Sequence, residues 1–241
     1  MATTYEKDSP NISTDISTMR AKYRLKTDTL KEEQLIKNPF KLFKEWFEEA
    51  RQCSKIEEPN AMCLATATKS GLPSARYVLM KQFDENGVRF YTNYKSRKGK
   101  EMEENPNIAA VFYWEPLRRS VRIEGTVSKL PESCSDEYFR SRPIESQIGA
   151  CISNQSSVIE NRNILEDELE KLKIIYENKT ITRPSCWGGL LIKPKKIEFW
   201  QGQSNRLHDR IVFFRPENEE ILNEKFTHLA ENGWLYKRLS P

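Results

Sequence analysis

The side chains best suited to chemistry surround Trp200, in the densest polar and aromatic segment of the chain. The indole of Trp200 offers a flat surface for a ring system. Arg206 and Arg210 can bind anions or stabilise developing charge, and His208 can orient a substrate or exchange a proton near neutral pH. A second interpretation stays open, in which His208 is a hydrogen-bonded residue of a sheet and Asp209 pairs with an arginine.

A second cluster of basic residues begins at Arg97 and Lys98, directly after Ser96. Serine is a good helix N-cap, and the free backbone N–H groups of a helix start bind phosphate when cations stand beside them. The segment therefore indicates a phosphate site. The alternative is a basic turn in contact with water.

Arg76 and Lys81 enclose the apolar residues from Tyr77 to Met80. At least one of the two charges must leave the core or meet an anion. Because five positions separate them, a regular strand would place them on opposite faces. If both residues contact one ligand, either the strand contains a bulge or the two residues contact different parts of that ligand. The competing interpretation is a strand in which one basic side chain extends to solvent.

A further arginine and hydroxyl pair follows Tyr138. Arg142 and Ser146 are four residues apart, so one helical face can present both. The alternative is an ordinary helix end with a surface arginine. Gln155 and Ser156 precede a long amphipathic helix, where such residues most often form a cap.

The elements that must position these residues are strands at both ends of the chain with helices between them. Asn38 and Pro39 predict the start of a helix with a buried aromatic face. Strands are predicted at about 61–68, 74–82, 88–93, 108–114 and 119–130, a helical region at 132–177, and returning strands at 187–193, 196–201, 209–215 and 234–239. This order favours an α+β protein built on one closed or nearly closed antiparallel barrel.

Composition narrows the function classes. The 241 residues carry a net charge of only +4, so we expect no nucleic-acid partner. No apolar run approaches the length of a membrane span, and Met1–Pro10 lacks a signal-peptide core, so we expect a soluble, cytoplasmic protein without a membrane partner. Five spaced cysteines and two histidines disfavour a metal site and a disulfide framework. Residues 1–18 are predicted to be a flexible arm, and 19–241 one domain.

Taken in order, these segments resemble the pyridoxine (pyridoxamine) 5'-phosphate oxidase family. The similarity extends from about residue 19 to the C-terminal Arg238-Leu239-Ser240-Pro241. Its most specific part is the pentad Arg206-Leu207-His208-Asp209-Arg210 after Phe199-Trp200-Gln201-Gly202. The other motifs are Ser74-Ala75-Arg76 to Lys81, Tyr91-Thr92-Asn93 with Ser96-Arg97-Lys98, Phe112-Tyr113-Trp114, Tyr138 to Pro143, Ser146 to Ala150, Gln155-Ser156-Ser157 and Trp187-Gly188-Gly189.

The resemblance implies a split β-barrel with surrounding helices that binds FMN, and a homodimer with FMN at the subunit interface. Matched by motif, the implied flavin contacts are Arg76, Tyr77, Val78, Leu79, Lys81, Tyr91, Thr92, Arg97, Lys98, Gln155, Ser156, Trp200 and Arg210. The implied substrate contacts are Arg20 and Tyr23 in a mobile N-terminal segment, Lys81, Tyr138, Arg142 and Ser146 around the phosphate, and Arg206 and His208, which are also the implied catalytic residues.

The implied reaction is oxidation of pyridoxine 5'-phosphate or pyridoxamine 5'-phosphate to pyridoxal 5'-phosphate. A hydride leaves the exocyclic carbon for the flavin, and oxygen then reoxidises the flavin with formation of hydrogen peroxide. The alternatives are another split-barrel flavin oxidoreductase that acts on a different ring, and a carrier that binds flavin or pyridoxal phosphate without turnover.

The chain departs from the family pattern at one position. Arg119-Ser120-Val121 stands where the family commonly has Arg-Gln-Val, and that glutamine is a typical flavin contact. Serine is too short to reach as far. The resemblance therefore implies a contact that is lost, replaced by water or supplied by a neighbour, and a weaker affinity for flavin.

Overall fold

The computed structural model describes Ser17 and residues 29–177, 179–216 and 225–241. The predicted substrate contacts Arg20 and Tyr23 lie outside these residues, as does nearly all of the predicted arm.

Ten strands and five α-helices make up the described fold. The helices are α1 (Pro39–Gln52), α2 (Arg97–Glu104), α3 (Glu132–Ser141), α4 (Ile144–Ile152) and α5 (Asn163–Ile175). The strands are β1 (Ala61–Ala67), β2 (Pro73–Leu79), β3 (Gln82–Asp84), β4 (Gly87–Asn93), β5 (Asn107–Trp114), β6 (Arg119–Lys129), β7 (Trp187–Gln201), β8 (Asp209–Phe214), β9 (His228–Leu229) and β10 (Leu235–Arg238).

Helix α1 begins and packs as the sequence predicts. The side-chain oxygen of Asn38 accepts hydrogen bonds from the backbone N–H groups of the second and third helical residues, and Pro39 occupies the first helical position. Phe43 and Trp46 are buried against the sheet, with ring centroids 5.2 Å from those of Phe112 and Phe199 respectively. This helix therefore covers the inner face of the sheet and closes the main core.

The sheet is antiparallel, and β7 is the strand at which it divides. β7 pairs with β6 along most of its length, while its other side pairs first with β4 and then with β8. The remaining order is β2-β1-β5-β6-β7-β8-β10-β9, and these described strands do not close into a ring. The expectation of a closed or nearly closed barrel is therefore corrected to an open, split one.

Several predicted boundaries differ from the structure, and the predicted strand at 74–82 is divided into β2 and β3. The predicted strands at 187–193 and 196–201 are one continuous strand, because a register shift opposite Glu124 and Gly125 accommodates Pro194 without ending the ladder. The predicted helical region consists of three helices. They enclose a second, smaller core around Phe139, Ile148 and Trp187.

Within the described residues, no helix is long and apolar enough to cross a membrane. The same part of the chain holds no group of three or more potential metal ligands from histidine, cysteine, aspartate and glutamate.

Candidate active site

A cavity of about 790 Å³ opens between β2, β4 and α4. It brings together most of the residues that the sequence singled out, although they come from five separate segments. Its lining includes Arg76, Tyr77, Val78, Leu79, Lys81, Tyr91, Thr92, Lys98, Tyr138, Arg142, Ser146 and Gln155.

Arg76 and Lys81 reach this cavity without a bulge in β2. The strand ends at Leu79, and the backbone N–H of Lys81 already donates to the carbonyl of Arg89 in the next hairpin. The face alternation expected of a regular strand therefore does not apply to Lys81. Among the described strands β2 pairs only with β1, so its outer edge can offer backbone groups to a ligand.

Lys98 is a buried cation whose described hydrogen-bond partners are all neutral. Its side chain is 9% exposed, and its Nζ lies 3.2 Å from Thr92 Oγ1 and 3.0 Å from Gln155 Oε1. Burial lowers the pKa of Lys98, and the nearby charge of Arg76 lowers it further. An anion in the cavity would relieve both effects. Lys98 therefore marks a position suited to a phosphate.

Arg142 marks a second anion position in the same cavity. Its guanidinium carbon lies 4.5 Å from the ring centroid of Trp187, and its buried Nη1 has no hydrogen-bond partner within the described part of the chain. Burial lowers the pKa of Arg142. A buried guanidinium donor without an acceptor is costly, and a phosphate is a good bidentate acceptor for it.

Arg142 and Ser146 do not share one helical face, so that prediction is wrong. Arg142 caps the C-terminus of α3, whereas Ser146 belongs to α4. Pro143 separates the two helices, because a proline favours an extended conformation in the residue before it. Both side chains nevertheless line the cavity.

Aromatic rings form one wall of the cavity. The ring centroids of Tyr91 and Tyr138 are 3.9 Å apart with planes inclined by 22°, and Tyr91 also stacks on Trp187 at 5.6 Å. This stack fixes Tyr138 beside Arg142.

Glu101 holds two of the predicted flavin contacts, and the sequence interpretation missed it. Its carboxylate accepts from Arg97 Nε at 2.8 Å and from Arg76 Nη2 at 3.3 Å, and it also accepts from Thr66. Burial raises the pKa of Glu101, but these hydrogen bonds outweigh it and the net shift is downward. The spacing of four between Arg97 and Glu101 was a usable signal.

Arg97 and Ser156 lie in a cleft beside the cavity rather than among its lining residues. The backbone N–H of Arg97 donates to Ser156 Oγ at 3.2 Å, and the cleft shares Gln155 with the cavity. The alternative in which Gln155 and Ser156 cap the long helix is wrong, because α5 begins after Arg162 with no side-chain cap.

The remaining predicted residues form a second cluster where β7 ends and β8 begins. The ring centroids of Trp200 and His208 are 5.0 Å apart. Arg210 Nε donates to Glu198 Oε1 at 2.8 Å, and Glu198 also accepts from Arg122. Burial raises the pKa of Glu198, but the two arginines lower it overall.

One subunit does not join the two groups of residues. In the described part of the chain, Trp200, Arg206, His208 and Arg210 are not among the residues that line the 790 Å³ cavity. His208 instead borders a cleft with Arg238 and the C-terminal residues. Asp209 does pair with an arginine, as the alternative interpretation held, but its partner is Arg238 at 2.7 Å rather than a member of the pentad.

Ser120 lies directly opposite Trp200 in the pairing of β6 with β7 and opposite Tyr113 in the pairing with β5. It is half-buried. The residue at which the chain departs from the family pattern is thus a neighbour of the second cluster.

The residues present fit flavin mononucleotide. Tyr77, Val78 and Leu79 at the open edge of β2 line the cavity, which has room for a planar ring, and Lys98 supplies a buried cation for the phosphate. Arg142 is a second, half-buried cation in the lining of the same cavity.

The open antiparallel sheet, divided at β7, defines the class as a split-barrel fold. A solved structure of PhzG from Burkholderia lata, in complex with tetrahydrophenazine-1-carboxylic acid, superposes with a TM-score of 0.76 at 28% identity and covers 87% of this chain and 95% of its own. An FMN-binding, pyridoxamine 5'-phosphate oxidase-related protein from Nostoc punctiforme has the same fold, with a TM-score of 0.60 at 14% identity over 83% of this chain and 96% of its own.

Sequence comparison then gives the family. Residues 47–176 match the family model described as pyridoxamine 5'-phosphate oxidase, and residues 187–241 match the pyridoxine 5'-phosphate oxidase C-terminal dimerisation region. The chain is 52% identical to a pyridoxine/pyridoxamine 5'-phosphate oxidase of Bombyx mori, over 96% of this chain and 91% of that protein. It is 50% identical to a pyridoxine-5'-phosphate oxidase of Bos taurus, over 94% and 88%.

The chain belongs to the pyridoxamine 5'-phosphate oxidase family and is an oxidoreductase. The predicted family and split-barrel fold are confirmed. The matched dimerisation region supports the predicted homodimer, and it contains the whole second cluster from Glu198 to Arg210.

Proposed function

We propose that this chain oxidises pyridoxine 5'-phosphate and pyridoxamine 5'-phosphate to pyridoxal 5'-phosphate, with FMN as cofactor and oxygen as the electron acceptor that yields hydrogen peroxide. The observation that carries the proposal is the pair of cations in one cavity: Lys98 is buried among neutral oxygens, and Arg142 is half-buried with a buried Nη1 that has no hydrogen-bond partner among the described residues. Two phosphorylated ligands, one at each cation, account for the presence of both cations in the cavity.

The cofactor phosphate is assigned to the side of the cavity around Lys98. Arg76 and Arg97, held by Glu101, add positive charge there, and Gln155 and Ser156 add polar groups. Thr92 and the edge of β2 from Tyr77 to Leu79 would contact the rest of the flavin. When bound, FMN accepts the hydride and passes electrons to oxygen.

The substrate phosphate is assigned to the side around Arg142. Ser146, Tyr138 and Lys81 line the same cavity as Arg142, and their side chains can donate to phosphate oxygens. This assignment favours a phosphorylated substrate over an unphosphorylated ring such as the one bound to PhzG. Held at its phosphate, the substrate is oriented with its ring against the flavin.

We further propose that the partner subunit completes each site. Trp200, Arg206, His208 and Arg210 lie outside the cavity of their own subunit but inside the matched dimerisation region. A twofold interface can bring this cluster of one subunit to the cavity of the other. Trp200 and Arg210 would then contact FMN, whereas Arg206 and His208 would orient the substrate and stabilise charge at the reacting carbon.

Three further assignments rest on the sequence alone. Closure of Arg20 and Tyr23 over the substrate, the cytoplasmic location and the division into an arm of residues 1–18 and a domain of residues 19–241 stay predictions.

One preparation tests the reaction. We expect the purified protein to show a flavin spectrum and to release hydrogen peroxide and pyridoxal 5'-phosphate with either substrate. A yellow protein that releases no peroxide would favour a carrier. A protein that turns over an unphosphorylated ring equally well would contradict the role of Arg142. A protein unable to take up FMN would contradict the proposal as a whole.

A further inference from the structure

His208 is held by its own loop between β7 and β8. The backbone N–H of Gln203 donates to His208 Nδ1 at 2.9 Å. The loop bends back to make this contact: Arg206 has a φ of 68° and its N–H donates to the carbonyl of Gln203 at 3.2 Å. A neutral imidazole that accepts at Nδ1 carries its hydrogen on Nε2.

A buried network behind the loop holds Gln203. Its side-chain Nε2 donates to Asp209 Oδ2 at 2.8 Å, and Arg238 Nη1 donates to Asp209 Oδ1 at 2.7 Å. Gln203 and Asp209 are each 7% exposed. Arg238 is itself held by Glu32 and by the carbonyl of Leu30. The carboxylate of Asp209 thus links the turn that contacts His208 to the last strand.

We propose that Gln203, Asp209 and Arg238 are positioning residues that keep His208 in the tautomer with its hydrogen on Nε2. His208 then meets the substrate as a hydrogen-bond donor of fixed orientation. The expected effect of this network on turnover rests on the function proposed above for His208. The expected effect on the tautomer of His208 does not depend on that function.

Asp209 is the residue at which this network can be broken with least change of shape. A carboxylate accepts on both oxygens, so it satisfies Gln203 and Arg238 together. The carboxamide of Asp209→Asn is neutral and accepts on one oxygen only, so the charge-assisted hydrogen bond from Arg238 is weakened and Gln203 must turn its amide to keep a side-chain partner at this position. Gln203→Met removes the side-chain link and keeps the backbone N–H.

The two histidines of the chain make the tautomer directly measurable. We would label histidine with ¹⁵N in the full-length, FMN-loaded protein and assign His228 with the variant His228→Gln. In the unaltered protein we expect a protonated Nε2 and an unprotonated Nδ1 for His208. In Asp209→Asn and Gln203→Met we expect its two nitrogen shifts to move toward each other, as the ring samples both tautomers.

Kinetics give the second measurement. We expect Asp209→Asn to lower kcat about tenfold or more through misplacement of His208, with KM and FMN retention changed about twofold or less. Asp84→Asn is the matched control, since Asp84 pairs with Arg89 at 3.3 Å in the β3–β4 hairpin. It should leave the His208 signals and kcat unchanged.

The outcomes distinguish the positioning role of Gln203, Asp209 and Arg238 from the proposed function of His208. Unchanged His208 signals and kcat in both Asp209→Asn and Gln203→Met would overturn the positioning role. If Asp209→Asn fails to fold, as judged by thermal melting, Gln203→Met alone decides. If His208→Asn retains full turnover, the proposed function of His208 is wrong, while the tautomer measurement still decides whether the network positions the ring.

Discussion

Lys98 is buried and Arg142 is half-buried, and we assign them to different phosphates. The hydrogen-bond partners described for Lys98 are all neutral, and Arg142 Nη1 has none within the described residues. Each therefore reduces stability until an anion binds. Because we assign them to different phosphates, replacing them should have separable effects.

We expect Lys98→Met to weaken FMN binding by about 10- to 100-fold, the value of one hydrogen bond to a charged group. Without ligand, the variant should melt no lower than the unaltered apoprotein, because a buried charge has been removed. Flavin titration and thermal melting measure both effects. A clearly lower melting temperature of the variant apoprotein would show that Lys98 is satisfied without an anion.

Arg142→Met should leave FMN retention unchanged and raise KM for both phosphorylated substrates by about 10- to 100-fold. Steady-state kinetics on the FMN-loaded variant measure this effect. Loss of flavin with KM unchanged would reverse the assignment of the two phosphates.

Glu198 predicts a pH dependence of stability. The arginines lower its pKa from the ordinary 4.5, so its contribution is present above pH 4.5 and is lost as the pH falls through the lower folded value. We expect Glu198→Gln to destabilise the apoprotein at pH 7 by about 1 kcal/mol, a small value because Arg122 is 44% exposed and water screens the pair. The difference should shrink below pH 4.5 in denaturant titrations. A difference that grows in acid would contradict this sign.

Single residues differ in how far the sequence reveals them. The partner of Arg97 was accessible, since Glu101 follows at helical spacing. The partners of Glu198 were not, because Arg122 lies 76 positions away and meets it only through the register of β6 and β7. Residue types predict which groups need a partner, and only the three-dimensional pairing supplies it.

At the scale of elements, helix α2 depends on a glycine. A Cβ built on Gly99 would lie 2.1 Å from the carbonyl oxygen of Tyr94, whereas one built on Gly149 in α4 would meet nothing within 4 Å. Gly99 also donates its N–H to the capping Ser96 Oγ at 3.2 Å. The close approach of α2 to the chain before it therefore requires glycine.

We expect Gly99→Ala to displace the start of α2, lower the stability of the apoprotein by about 1–3 kcal/mol and weaken FMN binding. Gly149→Ala is the matched control, and its stability should be equal or up to about 1 kcal/mol higher, as alanine favours a helix. Thermal melting of the two apoproteins measures the difference. Equal stability of both variants would contradict the proposed role of Gly99.

Most elements were predictable from local patterns, and only some of their ends were. The Asn38 cap placed the start of α1 correctly. The end of β2 at Leu79 had no clear local signal, whereas Pro143 marked the break between α3 and α4. These two ends place Lys81 with Arg76, and Ser146 with Arg142, in the lining of one cavity. The positions of the site residues therefore depend more on where the strands and helices end than on which strands and helices form.

At the scale of the whole molecule, the family was predictable because ordered motifs extend along most of the chain. The separation of the site into a cavity and a distant cluster could not be derived from local patterns. It follows from β2 and the β7–β8 loop, which lie at different places along one sheet. In the proposed function, formation of the homodimer brings the cavity of one subunit next to the cluster of the other.

Complementation between two inactive variants tests most directly whether the cavity of one subunit and the cluster of its partner form one active site. Arg142→Met weakens substrate binding in the cavity and His208→Asn removes the imidazole of the cluster, so each homodimer should have little activity at a substrate concentration near the KM of the unaltered dimer. A heterodimer, isolated with two different affinity tags, contains one site with both residues intact. We predict that it recovers about half of the activity of the unaltered dimer, since one of two sites is restored. A heterodimer no more active than the two homodimers would contradict the shared site.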